Sequence, residues 1–230
     1  MLTATDVVVS YGPAVAVDGV SVEVHPREMV ALVGPNGAGK TSFVRAITGL
    51  VKPSSGAIRV GGVAALVPEG RQLFADLTVD DNLRLGAWRR KDRRTEKVYD
   101  LFPDLVRLRA SRAGNLSGGQ QQMVSIGRAL MAEPDLLVID ELSLGLAPMV
   151  VAELANYLTA LNNERGVAVL LIEQEVGLAF DVCARGYVME AGRIALSGLT
   201  STLKTNDHVR AVYFGGSQDE TVEKKAGDRA

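Results

Sequence analysis

The chain has 230 residues, 47% of them hydrophobic, with 25 basic and 27 acidic side chains and a net charge of −2. The near-balance gives no basic field for nucleic acid and no acidic excess of the kind that keeps a chain disordered, while the apolar share is enough to bury a large core. A single cysteine, Cys183, excludes an internal disulfide and reads as small buried filler, which suits a reducing cytoplasm.

Met1 to Ser10 has no basic segment and carries Asp6, so it does not read as a signal peptide. No stretch approaches the ~18 consecutive apolar residues of a membrane span. The expectation is a chain soluble by itself, carried to any membrane by another polypeptide. Thr3 to Val24 mixes β-branched residues with turns, and Gly56 to Val60 reads as a strand in a hairpin. Together they predict a small antiparallel layer. Met29–Val33, Ala64–Val67, Leu136–Ile139 and Val167–Ile172 are short apolar runs without alternation. Such runs predict strands buried on both faces, hence a parallel sheet covered by helices. Ser42 to Leu50 has helical spacing. Residues 76–130 are rich in helix signals, with Thr78 as the cap of a helix that begins Val79-Asp80-Asp81. The run from Arg89 to Arg94 reads as a solvated helix face. From Gly215 the tail is small, charged and expected to be disordered.

Between the strand at Met29–Val33 and the helix that follows lies Gly34-Pro35-Asn36-Gly37-Ala38-Gly39-Lys40-Thr41-Ser42. It fits G-x-x-x-x-G-K-[ST] in the context that motif requires. Glycines let successive N–H groups curl inward at phosphate oxygens, and the helix adds the positive end of its dipole. Lys40 supplies a cation for the outer phosphates, and Thr41 offers a hydroxyl to Mg²⁺. A lone phosphate loop does not choose among kinases, GTPases and ATPases. Leu136–Ile139 narrows the choice, because it ends in the paired acids Asp140 and Glu141. Asp140 would hold Mg²⁺, and Glu141 is placed to polarise a water aimed at the γ-phosphate. Val167–Ile172 ends likewise in Glu173-Gln174-Glu175.

Leu116-Ser117-Gly118-Gly119-Gln120 opens a helix over Gln121–Leu130 and makes a second anion-binding nest. Two nests for one nucleotide suggest a dimer in which each nest caps the partner's nucleotide. With this stretch, about residues 3–214 resemble the ATP-binding cassette (ABC) ATPases. The resemblance implies an α/β fold with a P-loop NTPase (RecA-like), mostly parallel core. It adds an antiparallel β layer and a helical subdomain over about 76–130 that carries the signature, all in one domain over 1–214. It also implies a head-to-tail dimer closing on two MgATP, with Ser117 and Gly119 at the partner's γ-phosphate and Gly118 and Gln120 beside them. Tyr11 matches the aromatic residue that stacks on adenine in this family.

Val67 to Arg71, Leu77 to Leu83, Ser143 to Pro148 and Ile172-Glu173-Gln174 look like the smaller ATP-binding subunit of branched-chain amino-acid importers. Gly186 to Ile194 and Val209 to Gly215 are similar to it too. This implies transmembrane permease partners, a second cassette (the same chain or a different one) and a peripheral place on the cytoplasmic face of the cell membrane. Four positions depart from the broad cassette pattern. Glu69 stands where a Mg²⁺-touching glutamine is usual, with Gln72 three residues along as a possible substitute. Ala147 replaces an aspartate, which weakens cross-dimer contact in that loop. Leu142 replaces a proline. Gln174 replaces a histidine. An amide can report a γ-phosphate but cannot take a proton, so the base role falls to Glu141 and Gln174 becomes the sensor.

Three rival readings fit less well. A soluble cassette ATPase in DNA repair would carry a long coiled coil between Gly49 and Leu116, where no sustained heptads occur. A translation-associated protein would carry two cassettes. A monomeric kinase has no use for Leu116 to Gln120.

Overall fold

The computed structural model describes residues 1–213. The expected disordered tail from Gly215 lies outside them. The chain opens with β1 (Leu2–Tyr11) and β2 (Ala14–Val24), an antiparallel pair, followed by β3 (Met29–Val33) and α1 (Lys40–Ile47). Next come β4 (Ser55–Val60), β5 (Ala64–Val67), α2 (Val79–Gly86), α3 (Glu96–Leu101) and α4 (Gly118–Leu130). The remainder is β6 (Leu136–Asp140), α5 (Pro148–Arg165), β7 (Ala168–Glu173), α6 (Val176–Val182), β8 (Arg185–Glu190), β9 (Arg193–Leu199), α7 (Thr200–Leu203) and α8 (Asp207–Tyr213).

The six-stranded sheet has the order β5-β6-β7-β3-β8-β9. Its pairs are parallel except β8–β9. The apolar runs form its centre, and their alternate side chains enter two different cores. Ala31, Val33, Leu137, Ile139, Val169 and Leu171 face α2 to α6. Val30, Leu32, Leu136, Val138, Leu170 and Ile172 face α1 and the antiparallel layer. That two-sided burial is why these strands show no polar alternation. β5 differs: it is the edge strand, and of its four residues only Val67 is buried.

The antiparallel layer has the order β2-β1-β4. Gly56–Val60 is thus a strand, but not half of a local hairpin. It pairs with β1, more than forty positions upstream, as Leu2↔Val60 and Ala4↔Ile58. Between β5 and β6 the chain leaves the sheet to build α2, α3 and α4. Leu83, Val98, Phe102, Leu105 and Ile126 join the core beneath the sheet. Thr78 caps α2 by accepting from the Asp81 N–H at 3.1 Å.

The basic run is not a helix face. Arg89 to Arg94 lies in turns and irregular chain between α2 and α3. Asp92 accepts from the Arg94 N–H at 3.1 Å and from its guanidinium at 2.9 Å. A side chain that bonds its own backbone two residues on competes with the helical ladder. Arg89 stacks over Trp88, 4.5 Å from the ring centre.

Candidate active site

Every parallel strand of the sheet points its C-terminal end at one edge, the usual place for a ligand in an open α/β sheet. β3 delivers Gly34, β5 leads to Glu69, β6 ends at Asp140 and β7 leads to Gln174. The loop after β3 turns into α1 at Gly39, whose φ is 102°. A Cβ there would lie 2.3 Å from the Ala16 carbonyl oxygen and 2.8 Å from the Met189 methyl, so the position needs glycine for its conformation and for space. Lys40 is only 5% exposed. Its ammonium donates to the carbonyls of Gly34 at 2.7 Å and Pro35 at 3.1 Å, which holds it beneath the loop. Burial lowers its pKa, opposed by Glu141, Asp140, Glu173 and Glu69 in that order. Thr41 is exposed, and the first turn of α1 carries no acid, so its positive end is free for an anion. Pro35, Asn36 and Gly37 are exposed around the concavity. Tyr11, at the end of β1, is 43% exposed. Its phenol is shifted down chiefly by a bond to Ser42, with partial burial opposing and Arg45 assisting.

Asp140 is buried, and its pKa is pushed up to about 6 by burial, then by Glu141 and Glu69, with Lys40 and Arg45 opposing. Glu69 is exposed in the turn after β5, next to Asp140 because β5 pairs with β6. Among the described residues no group of three His, Cys, Asp or Glu forms a complete metal cage. One hydroxyl and one or two crowded carboxylates are instead the donor set of Mg²⁺, which keeps waters and phosphate oxygens among its ligands. Thr41, Asp140 and Glu69 fit that ion. Gln72 is exposed and its amide donates to the Glu69 carbonyl at 3.3 Å, so it serves its own turn.

Glu141 has a φ of 56°, the left-handed region, and its N–H donates to the Ile172 carbonyl at 3.0 Å. The Gln174 amide donates to Glu141 Oε1 at 2.6 Å. The sensor and the base proposed from sequence therefore touch. Leu142 is fully buried in the core beneath the sheet. Ala147 is the N-cap of α5 and supplies no side-chain cap.

The signature opens α4. Ser117 accepts from the Gln120 N–H at 3.3 Å, and Gln120 accepts from the Ser117 N–H at 3.0 Å, a complete capping box. A Cβ on Gly119 would meet Val150 at 2.5 Å, so this glycine also lets α4 approach α5. α4 packs on α2, β5 and α5, whereas α1 packs on β1, β2, β4 and β6. The phosphate loop and the signature of one chain thus have different surroundings. Arg128 links α4 to the Glu69 turn, donating to the carbonyls of Gln72 at 2.8 Å and Arg71 at 3.1 Å.

One residue escapes the sequence reading. Glu173 is 1% exposed and accepts from Ser143 twice, from its N–H at 3.0 Å and its hydroxyl at 2.9 Å. A carboxylate closing an apolar strand was its only signal. Burial pushes its pKa from 4.5 up to about 7, while the Ser143 bonds oppose. Its folded pKa lies above its unfolded one, so its contribution to stability is fully present below pH ~4.5 and is lost as pH rises through ~7. The loss is about 3 kcal/mol. Denaturant unfolding of nucleotide-free wild type and Glu173→Gln at pH 5 and pH 8 should show the variant gaining relative stability at the higher pH. A difference independent of pH would contradict it.

The ABC transporter family pattern matches residues 17–143. BraG of Pseudomonas aeruginosa, a high-affinity branched-chain amino acid transport ATP-binding protein, is 42% identical over 94% of this chain and 100% of its own length. LptB of Haemophilus influenzae, a lipopolysaccharide export system ATP-binding protein, is 34% identical over 94% of this chain and 97% of its own. Among solved structures, MJ1267, an ATP-binding cassette of an ABC transporter, superposes with a TM-score of 0.84 at 26% identity, covering 94% of this chain and 99% of that one. Its ADP conformation gives 0.81 at the same identity and coverage. The chain belongs to the ABC transporter family, as one of its ATP-hydrolysing cassettes.

Proposed function

We propose that this cassette powers an importer of branched-chain or related amino acids from the cytoplasmic face of the cell membrane. The cargo rests on the likeness to BraG. LptB shows that a less similar relative serves a different cargo. The partners are transmembrane permease subunits and a second cassette, the same chain or another. No helix among the described residues is long and apolar enough to cross a membrane, so such permeases would supply the spans. Uptake by the assembled transporter, measured for leucine, isoleucine and valine against lysine and glutamate, tests the cargo. Uptake of only the charged pair would refute it.

The observation that carries the hydrolytic reading is the amide-to-carboxylate bond from Gln174 to Glu141, beside the buried ammonium of Lys40. The loop N–H groups between Asn36 and Ser42, with Lys40, hold the phosphates of ATP, and Tyr11 stacks on the adenine. Thr41, Asp140 and Glu69 would hold Mg²⁺, which when bound would neutralise charge on the phosphate oxygens. Glu141 orients the attacking water and takes its proton. Gln174 donates to Glu141 in the free chain and to a γ-phosphate oxygen in the loaded one; it stays neutral throughout. Ser117 and Gly119, with Gly118 and Gln120 shaping the turn, close on the nucleotide of the opposite cassette.

Gln174→Ala should slow hydrolysis by less than Glu141→Gln does, and leave MgADP affinity nearly intact because ADP lacks the γ-phosphate. Gln174→His should stay active and acquire a pH dependence near ~6.5, the imidazole's reference pKa. Turnover across pH 5.5–8 with MgADP binding alongside checks both. Wild-type turnover in Gln174→Ala would make the glutamine a surface cap.

A further inference from the structure

We propose that Glu173 is a positioning residue which, with Gln174, holds the turn after Asp140 so that Glu141 faces the γ-phosphate. The proposal rests on the reading of Glu141 as the base. Its geometry is a row of contacts from three consecutive residues of one strand end. Ile172 accepts from the Glu141 N–H at 3.0 Å. Glu173 accepts from both the N–H and the hydroxyl of Ser143. Gln174 donates to Glu141 Oε1 at 2.6 Å. Leu142, between the two residues so held, is fully buried in the core beneath the sheet.

The turn needs this support. Glu141 carries a side chain at a φ of 56°, and such backbone persists only where its surroundings over-determine it. A buried carboxylate is an expensive way to fill a core. An apolar residue would pack there without the desolvation penalty, but could not accept two bonds from one residue. Both acceptors of Glu173 go to Ser143, two positions past the base. Its effect is therefore expected on the orientation of Glu141 more than on phosphate binding, where loop amides and Lys40 act.

The test is steady-state MgATP hydrolysis and MgADP binding by the full-length chain in wild type, Glu173→Ala, Glu173→Gln, Ser143→Ala and Glu173→Ala/Ser143→Ala. Glu173→Ala should lower kcat by ~10–100-fold, the usual cost of losing a residue that orients a reacting group. KM for ATP and MgADP affinity should move less than about threefold, well below the kcat effect. Glu173→Gln should restore kcat to within about threefold of wild type, because an amide accepts from the N–H through its oxygen and donates to the hydroxyl. The double variant should be no slower than Glu173→Ala. Should Glu173→Ala not fold, Ser143→Ala, which loses one bond of two, should still lower kcat at an unchanged KM.

A wild-type kcat in Glu173→Ala or, if that does not fold, in Ser143→Ala would overturn the proposal. So would a parallel loss of kcat and affinity, or a Glu173→Gln as slow as Glu173→Ala. Glu141→Gln in the same assay separates the two readings. If it still turns over, the base is misassigned; if it is dead while Glu173→Ala is normal, only the positioning role fails.

Discussion

Lys40→Ala is expected to weaken MgATP binding and abolish turnover. The ammonium lies under the phosphate loop, held by the Gly34 and Pro35 carbonyls, with Glu141, Asp140, Glu173 and Glu69 all close enough to act on its charge. Loop amides can cradle phosphate oxygens, but they carry no net charge. Without Lys40 the polyphosphate would approach four carboxylates with no buried cation between. Calorimetric titration with MgATP measures this directly. Wild-type affinity in the variant would contradict the placement of the phosphates at Gly34–Ser42.

Glu141→Gln is expected to lower turnover on the order of 10²–10⁴-fold, the range of a lost general base, while leaving MgATP affinity in place. The substitution keeps the shape and the contact with Gln174, and removes only the ability to take a proton. The neighbouring candidates do not replace it. Asp140 is assigned to the metal, Gln174 cannot ionise, and Glu173 has both oxygens turned to Ser143. A single-turnover rate equal to wild type would move the base elsewhere.

Much of this site was legible because its chemistry is local in sequence. The phosphate loop is nine consecutive residues between a strand and a helix, and the acid pair closes an apolar strand. The signature from Leu116 to Gln120 is likewise a short-range pattern, and so is the Thr78 cap. Most of what escaped depends on long-range pairing. β4 looks like a hairpin strand until β1 is seen beside it. The Arg89–Arg94 run has helical composition, but Asp92 turns its backbone away from a helix. Glu173 reads as a strand end, since nothing local shows that Ser143, thirty residues earlier, presents it with two donors. Contacts between β7 and the turn after β6 exist only because those strands are neighbours in a sheet whose order differs from chain order.

In the two-chain state we propose, the phosphate loop of one cassette meets the signature of the other, and within one chain the two have different neighbours. The most direct measurement is the solution mass of Glu141→Gln by sedimentation, with MgATP and with MgADP. With hydrolysis blocked, MgATP should hold two chains together, and MgADP, lacking the γ-phosphate proposed to bind Ser117 and Gly119, should leave them single. Single chains under saturating MgATP, both alone and with the permeases and any second cassette present, would contradict it.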